Sequence, residues 1–183
     1  IVVLIQCYAY SQVGLGIAAI DGLNDLQMVF EPGLKVGGLT VSKTFQPSFV
    51  VTEKGTLLVF CQGRLFDGED NEPKVILMNK SYDFGKSWEG VEVISLPMNF
   101  FAISPYSASI GGEEKISFLT CVGLKVTKEF YKDDFSKLKE ATGIDIEDIG
   151  KDKASVLVKY TSLDDGKSWT MEYLNGDNTP LFK

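Results

Sequence analysis

Residues 81–88 read SYDFGKSW and residues 162–169 read SLDDGKSW. Both fit S-x-D-x-G-x-x-W, carried by Ser81, Asp83, Gly85 and Trp88 in the first copy and by Ser162, Asp164, Gly166 and Trp169 in the second. The spacing has a physical reason. An Asp side chain accepts hydrogen bonds from backbone N–H groups of the tight turn that follows it. The Gly supplies a backbone angle that other residues resist. The Trp returns on the next strand, where its large ring packs across the hairpin.

Outward from each copy the sequence reads as strands. Before the first lie Ser48–Thr52, a turn at Glu53-Lys54-Gly55, the apolar run Thr56–Cys61 (TLLVFC) and Lys74–Lys80 (KVILMNK); after it comes Val91–Leu96. Before the second lie Ile103–Ile110, a turn at Gly111–Glu114, Lys115–Cys121 (KISFLTC) and Ser155–Thr161 (SVLVKYT); after it comes Met171–Leu174. Short apolar runs bounded by turn residues predict strands. The pattern therefore predicts two successive four-stranded antiparallel units, with Lys115–Cys121 matched to Thr56–Cys61. A repeat of such units is a propeller signature. The second unit is longer between Cys121 and Ser155, where Phe135, Leu138 and Ala141 at helical spacing predict a helix from about Asp134 to Ala141, ending near Gly143. That insertion is read either as a solvated decoration or as a cap over a pocket.

The two motifs resemble the Asp boxes, or BNR repeats, of the sialidase family. The resemblance implies an all-β, sialidase-type β-propeller with a short helical insertion. The chain would hold about two of six four-stranded blades, one over about 45–97 and one over about 100–175. Asp boxes are structural staples at the turn from strand 3 to strand 4, facing away from the active site. The resemblance accordingly gives Asp83 and Asp164 no catalytic role.

A second resemblance lies upstream. Residues 45–70, FQPSFVVTEKGTLLVFCQGRLFDGED, are similar to the sialidase opening, where an F/Y-R-I-P motif precedes GTLLAF, an E-G-R tripeptide and an acidic loop. By position Pro47 matches the Pro of F-R-I-P. Arg64 matches the Arg of E-G-R, which lines the sugar pocket. Asp70 matches the general acid/base. Asp67, Glu69, Asp70 and Glu72 crowd one loop, and neighbouring like charges favour holding a proton, as a general acid must. The other reading of the loop is an acidic surface turn.

The chain departs from the family at Phe45, which falls where the family has a carboxylate-clamping arginine. Arg64 is the only arginine in the sequence. A guanidinium grips a carboxylate through two parallel hydrogen bonds, and phenylalanine cannot. Either Lys43 or Lys35 substitutes, or the substrate is not a sialic acid, or activity has been lost and Phe45 stacks on a sugar face. The family's tyrosine nucleophile, its partner glutamate and the remaining arginines belong to later blades. Tyr82, Tyr106, Tyr131, Tyr160 and Tyr173 read as packing or surface groups.

The resemblance thus implies an exo-glycosidase removing a terminal sialic acid from glycoconjugates, with Asp70 catalytic and Arg64, Phe45 and Asp67 substrate-binding. The alternatives are a non-catalytic propeller that binds glycan or protein, and a hydrolase of a different sugar. The expected partner is a glycan, with no metal and no cofactor.

Composition narrows the chemistry further. The chain has 183 residues, is 44% hydrophobic and 23% charged, and carries a formal net charge of −7. An acidic chain without a basic cluster lacks the face that nucleic-acid binding needs. Histidine is absent, which removes Ser-His-Asp and Cys-His catalysis and the usual His-ligated zinc sites. Carboxylates, arginine, tyrosine and lysine remain, and glycosidases run on carboxylates. Cys7, Cys61 and Cys121 show no CxxC spacing, and Cys61 and Cys121 read as buried thiols. Residues 1–10, IVVLIQCYAY, are too short to span a membrane. They read either as the end of a secretory signal over 1–11, with the propeller in 12–183 and a secreted or extracytoplasmic protein, or as an apolar first strand.

Overall fold

The computed structural model describes residues 28–31, 33–66, 70–132, 134–142, 145 and 154–174. The signal reading of residues 1–11, and Cys7, lie outside them. The described fold is mostly antiparallel β-sheet. A small hairpin, β1 (Leu34–Val36) with β2 (Leu39–Val41), leads in. The first sheet is a meander of β3 (Lys43–Val51), β4 (Leu57–Arg64), β5 (Lys74–Ser81) and β6 (Glu92–Val93). The second is built on β9 (Glu113–Gly123), which pairs on one side with β7 (Asn99–Phe100) and β8 (Ser104–Ile110). On its other side lies β10 (Ser155–Ser162), followed by β11 (Thr170–Leu174). Two helices, α1 (Leu124–Tyr131) and α2 (Ser136–Thr142), link β9 to β10.

Alternation along β4 and β5 explains the layering. Side chains of successive strand residues point to opposite faces. Every residue of both strands is buried, because each face of the first sheet is covered. Leu58, Phe60, Ile76 and Met78 join a core with Ile116, Phe118, Val122, Val156, Val158 and Tyr160 of the second sheet. Leu57, Val59, Cys61, Val75 and Leu77 form a separate core under the hairpin, with Phe30, Val41 and the partly buried Trp88. Cys61 is buried as expected, while Cys121 is half-buried.

The two sheets correspond through their Asp-box strands. Ser81 pairs with Leu57 and Ser162 pairs with Ile116. Leu57 thus corresponds to Ile116, in step with the starts of the two matched runs, and Cys61 to Thr120, because the second run is one residue longer. Phe118 thus corresponds to Val59, and the two point into different cores.

Two differences from the expected strands bear on the site. The outgoing strand expected at Val91–Leu96 is the short β6. The strand expected at Ile103–Ile110 begins at Ser104, after an interruption: Phe100 faces Val122 and Ser104 faces Leu119, so three residues oppose two. The first sheet repeats this irregularity, because Phe45 faces Gln62 and Ser48 faces Phe60. Each sheet's first strand therefore carries one extra residue, a β-bulge, at corresponding places. Bulges bend a strand and re-aim side chains, and they concentrate next to functional sites.

The Asp boxes close the turns after β5 and β10. Ser81 Oγ donates to Asp83 Oδ1 at 2.8 Å and accepts from Gly85 N at 2.7 Å. Asp83 then accepts from Ser87 N at 2.8 Å and Ser87 Oγ at 2.7 Å. The second box repeats every bond. Ser162 Oγ donates to Asp164 at 2.8 Å and accepts from Gly166 N at 2.9 Å. Asp164 accepts from Ser168 N at 2.8 Å and Ser168 Oγ at 2.6 Å. Both turns are left-handed at two consecutive residues, Phe84 (φ 57) and Gly85 (φ 85), then Asp165 (φ 62) and Gly166 (φ 77).

These bonds set a pH dependence. The N–H and hydroxyl of Ser87, joined by Ser81, hold the Asp83 carboxyl down to about 2. The hydroxyl and N–H of Ser168, with Ser162, hold Asp164 at about 2 as well. A carboxyl depressed in the folded state adds stability above its unfolded value, about 3.9. That stability is lost as pH falls through the folded value. The melting temperature is expected to drop as pH falls from about 4 to about 2. The drop is expected to be smaller in an Asp83→Asn/Asp164→Asn variant, measured by thermal melts across that range.

The second box also docks on the first sheet. Thr56 Oγ1, in the β3–β4 turn, donates to Asp165 Oδ2 at 2.7 Å in a buried contact. A Cβ on Gly166 would stand 3.0 Å and 3.1 Å from the Leu58 methyls. In the first box Phe84 is 56% exposed and Gly85 is only half-buried. Gly166→Ala combines left-handed strain with overpacking, and is expected to destabilise by about 2–4 kcal/mol. Gly85→Ala is expected to cost the left-handed strain, about 1–2 kcal/mol. Paired urea titrations of the two variants would check the difference.

Candidate functional site

The meander puts the turns after β3, β5, β8 and β10 at one end of the sheets. The β4–β5 and β9–β10 connections lie at the other. The two Asp boxes therefore share one end, and Arg64, Asp70 and the helical insertion share the opposite one.

At that opposite end Arg64 closes β4. Its side chain is 7% exposed and donates through Nη2 to Asp70 Oδ1, while Asp70 is 84% exposed. The guanidinium carbon lies over the Phe45 ring, 3.7 Å from its centroid. Phe45 is thus the support on which Arg64 rests. A cation over an aromatic face is attracted by the ring quadrupole. The structure brings Phe45, Arg64 and Asp70 together, and Asp67 lies outside the described residues. The sequence sets Asp70 among carboxylates six residues after Arg64; among the described residues its ion-pair partner is that arginine.

Several residues at this end carried no functional reading in the sequence. Lys74 opens β5 at 2% exposure. Its Nζ donates to the Asp70 carbonyl at 2.6 Å and to Asn99 Oδ1 at 2.7 Å. Burial pulls the Lys74 ammonium below its ordinary value, reinforced by the Arg64 charge and opposed by Asp70 and Glu72. Gln62 joins the two bulges: its Nε2 donates to Gln46 Oε1 at 2.8 Å and to the carbonyls of Phe100 and Phe101. Gln46 itself is left-handed (φ 52), uncommon for a residue other than glycine. Phe101, 47% exposed, faces Lys74 from 5.9 Å. One sequence signal was present, since KVILMNK opens an apolar run on a lysine.

The insertion forms part of this end. Phe135 and Leu138 lie in the inter-sheet core, so the start of α2 is anchored there while its lysines face solvent. The expected helix is α2. Ahead of it α1, which the sequence reading missed, packs Leu124 and Thr127 inward. Thr127 Oγ1 donates to Gly123 O at 2.7 Å and accepts from Asn99 N at 3.1 Å. Gly123 must be small, because a Cβ there would meet Asn99 Nδ2 at 2.6 Å. Phe130 on α1 touches Phe66, on the loop after β4, with ring centroids 6.3 Å apart.

The tyrosines contribute packing. Tyr160 is buried and stacked on Phe118 at 4.8 Å, and burial raises its hydroxyl well above the ordinary range. Tyr82 and Tyr106 are exposed. Among the described residues no helix is long and apolar enough to cross a membrane.

Chemically, this end offers an exposed carboxylate, a buried guanidinium and ammonium behind it, and exposed phenylalanine rings beside them. The chain matches no protein-family model, and no curated protein matches it.

Proposed function

We propose that the two sheets are successive blades of a sialidase-type β-propeller, and that the end opposite the Asp boxes faces a terminal sugar. The activity is exo-glycoside hydrolysis, with sialic acid as the expected sugar. Asp70 is the acid/base and Arg64 a pocket residue that orients it. The observation that carries this reading is the Arg64–Asp70 pair, on the loop between a sheet's second and third strands, at the end opposite both boxes. An exposed carboxylate backed by a fixed cation can exchange protons with a substrate while its direction is held. Tyrosine nucleophile, glutamate and further arginines are expected from other blades.

A second reading is favoured by Phe45. Where the family has a clamp arginine, this chain has a ring lying under Arg64. A hydrolase of an uncharged sugar needs no carboxylate clamp, and neither does a glycan-binding propeller.

The test is hydrolysis of a fluorogenic sialoside by the full-length protein beside Asp70→Asn. Turnover that the substitution abolishes supports the sialidase reading. Turnover of a neutral glycoside with the same Asp70 dependence selects the second sugar class. Glycan binding without any turnover would sink the enzyme reading and leave a lectin-like propeller.

A further inference from the structure

We infer that Lys74 is the positioning residue that holds Asp70 in place, and that it does so by tying the Asp70 loop to the insertion helix. This deepens the reading above and rests on it for the role of Asp70. Asp70 stands on a connection between strands, its side chain 84% exposed. One ion pair at the surface holds a side chain weakly, since solvent screens the attraction and two side chains lose freedom. The backbone of the same residue is held from beneath. Lys74 Nζ donates to the Asp70 carbonyl at 2.6 Å, from a side chain that solvent scarcely reaches.

Lys74 is itself fixed from the second sheet. Asn99 Oδ1 accepts its other bond at 2.7 Å. Asn99 lies across Gly123, and its N–H is bonded to Thr127 of α1. A chain of hydrogen bonds thus runs from the loop through Lys74 and Asn99 to α1. The Phe66–Phe130 contact ties loop and helix a second time. A charged donor makes stronger hydrogen bonds than a neutral one, and a buried ammonium is costly unless its donors are used. The lysine therefore favours the arrangement in which the Asp70 carbonyl reaches it. It touches no substrate; it sets where the Asp70 carboxylate starts from.

The test compares Lys74→Met with wild type in the full-length protein by two readouts. The first is amide hydrogen exchange over Asp70–Glu72 against exchange in β9 and β10. Faster exchange confined to the loop is expected; exchange unchanged in the loop, or raised equally everywhere, would overturn the assignment. The second is glycoside turnover. Misplacing a catalytic group by about 1 Å can cost ~100-fold. We expect kcat to fall by ~10- to 100-fold with KM nearly unchanged. A kcat within twofold of wild type would overturn the positioning role while leaving Asp70 as acid/base. If wild type hydrolyses no glycoside, the enzyme reading falls alone, and loop exchange still decides whether Lys74 anchors Asp70. Should Lys74→Met not fold, Asn99→Leu breaks the same chain one step away and is read in the same two ways.

Discussion

Phe118→Ala is expected to destabilise the protein by about 3–5 kcal/mol, the range for deleting a buried aromatic ring. The cost belongs at the upper end because this ring serves three others. Phe118 is fully buried. It stacks on Tyr160 at 4.8 Å and tilts against Trp169 at 5.3 Å and Phe60 at 5.4 Å. Phe60 belongs to the first sheet, while Tyr160 and Trp169 belong to the second sheet and its Asp box. Removing Phe118 opens a cavity where the sheets meet, and the surrounding strands can close it only in part. Urea unfolding of the full-length protein would measure the loss. A change below about 1 kcal/mol, the size of an ordinary surface effect, would mean that the sheets do not share this core.

Asp70→Asn is expected to act in the opposite way, on chemistry and hardly on folding. Loss of a positioned general acid costs about 10²- to 10⁴-fold in turnover. Asparagine keeps the shape and a hydrogen bond but holds no proton to give. Folding should change by no more than about 1 kcal/mol, the upper range for an exposed ion pair, because the Asp70 side chain stands in solvent. Arg64 keeps its place over Phe45 without it. The check is kcat together with the urea midpoint of the same preparation. A large fall in both would show that Asp70 holds the loop rather than acting on a substrate, and the acid/base assignment would then fail.

The parts of the fold legible in the sequence are those whose partners lie close by. Ser81, Asp83, Gly85 and Ser87 bond within four residues of one another, so the motif contains its own geometry. The same holds for Ser162 to Ser168. The strands on either side were legible from their apolar runs. Which core each face of those strands enters was not. Thr56–Cys61 and Lys115–Cys121 look alike and the boxes align Leu57 with Ile116 accordingly, yet Val59 and its counterpart Phe118 enter different cores. A strand buried on both faces reads as a continuous apolar run, so alternation does not mark which core each face enters. Helix α1 was missed for a related reason. Its inward residues, Leu124 and Thr127, are placed by tertiary contacts rather than by strong helix propensity.

The site divides along the same line. Arg64 and Asp70 sit six residues apart on one connection, and a resemblance in local sequence was enough to single both out, though not to pair them. That Phe45 supports Arg64, that Gln62 joins two bulges and that Lys74 meets Asn99 all depend on segments distant in the chain. The Lys74–Asn99 bond spans 25 residues and crosses between sheets. By itself the sequence determined the turns and the strands, because hydrogen bonds within a hairpin and alternation along a strand act locally. Only the tertiary structure decided which faces meet and which buried cation holds which loop. Burial and charge pairing are properties of the packed assembly, and no single segment carries them.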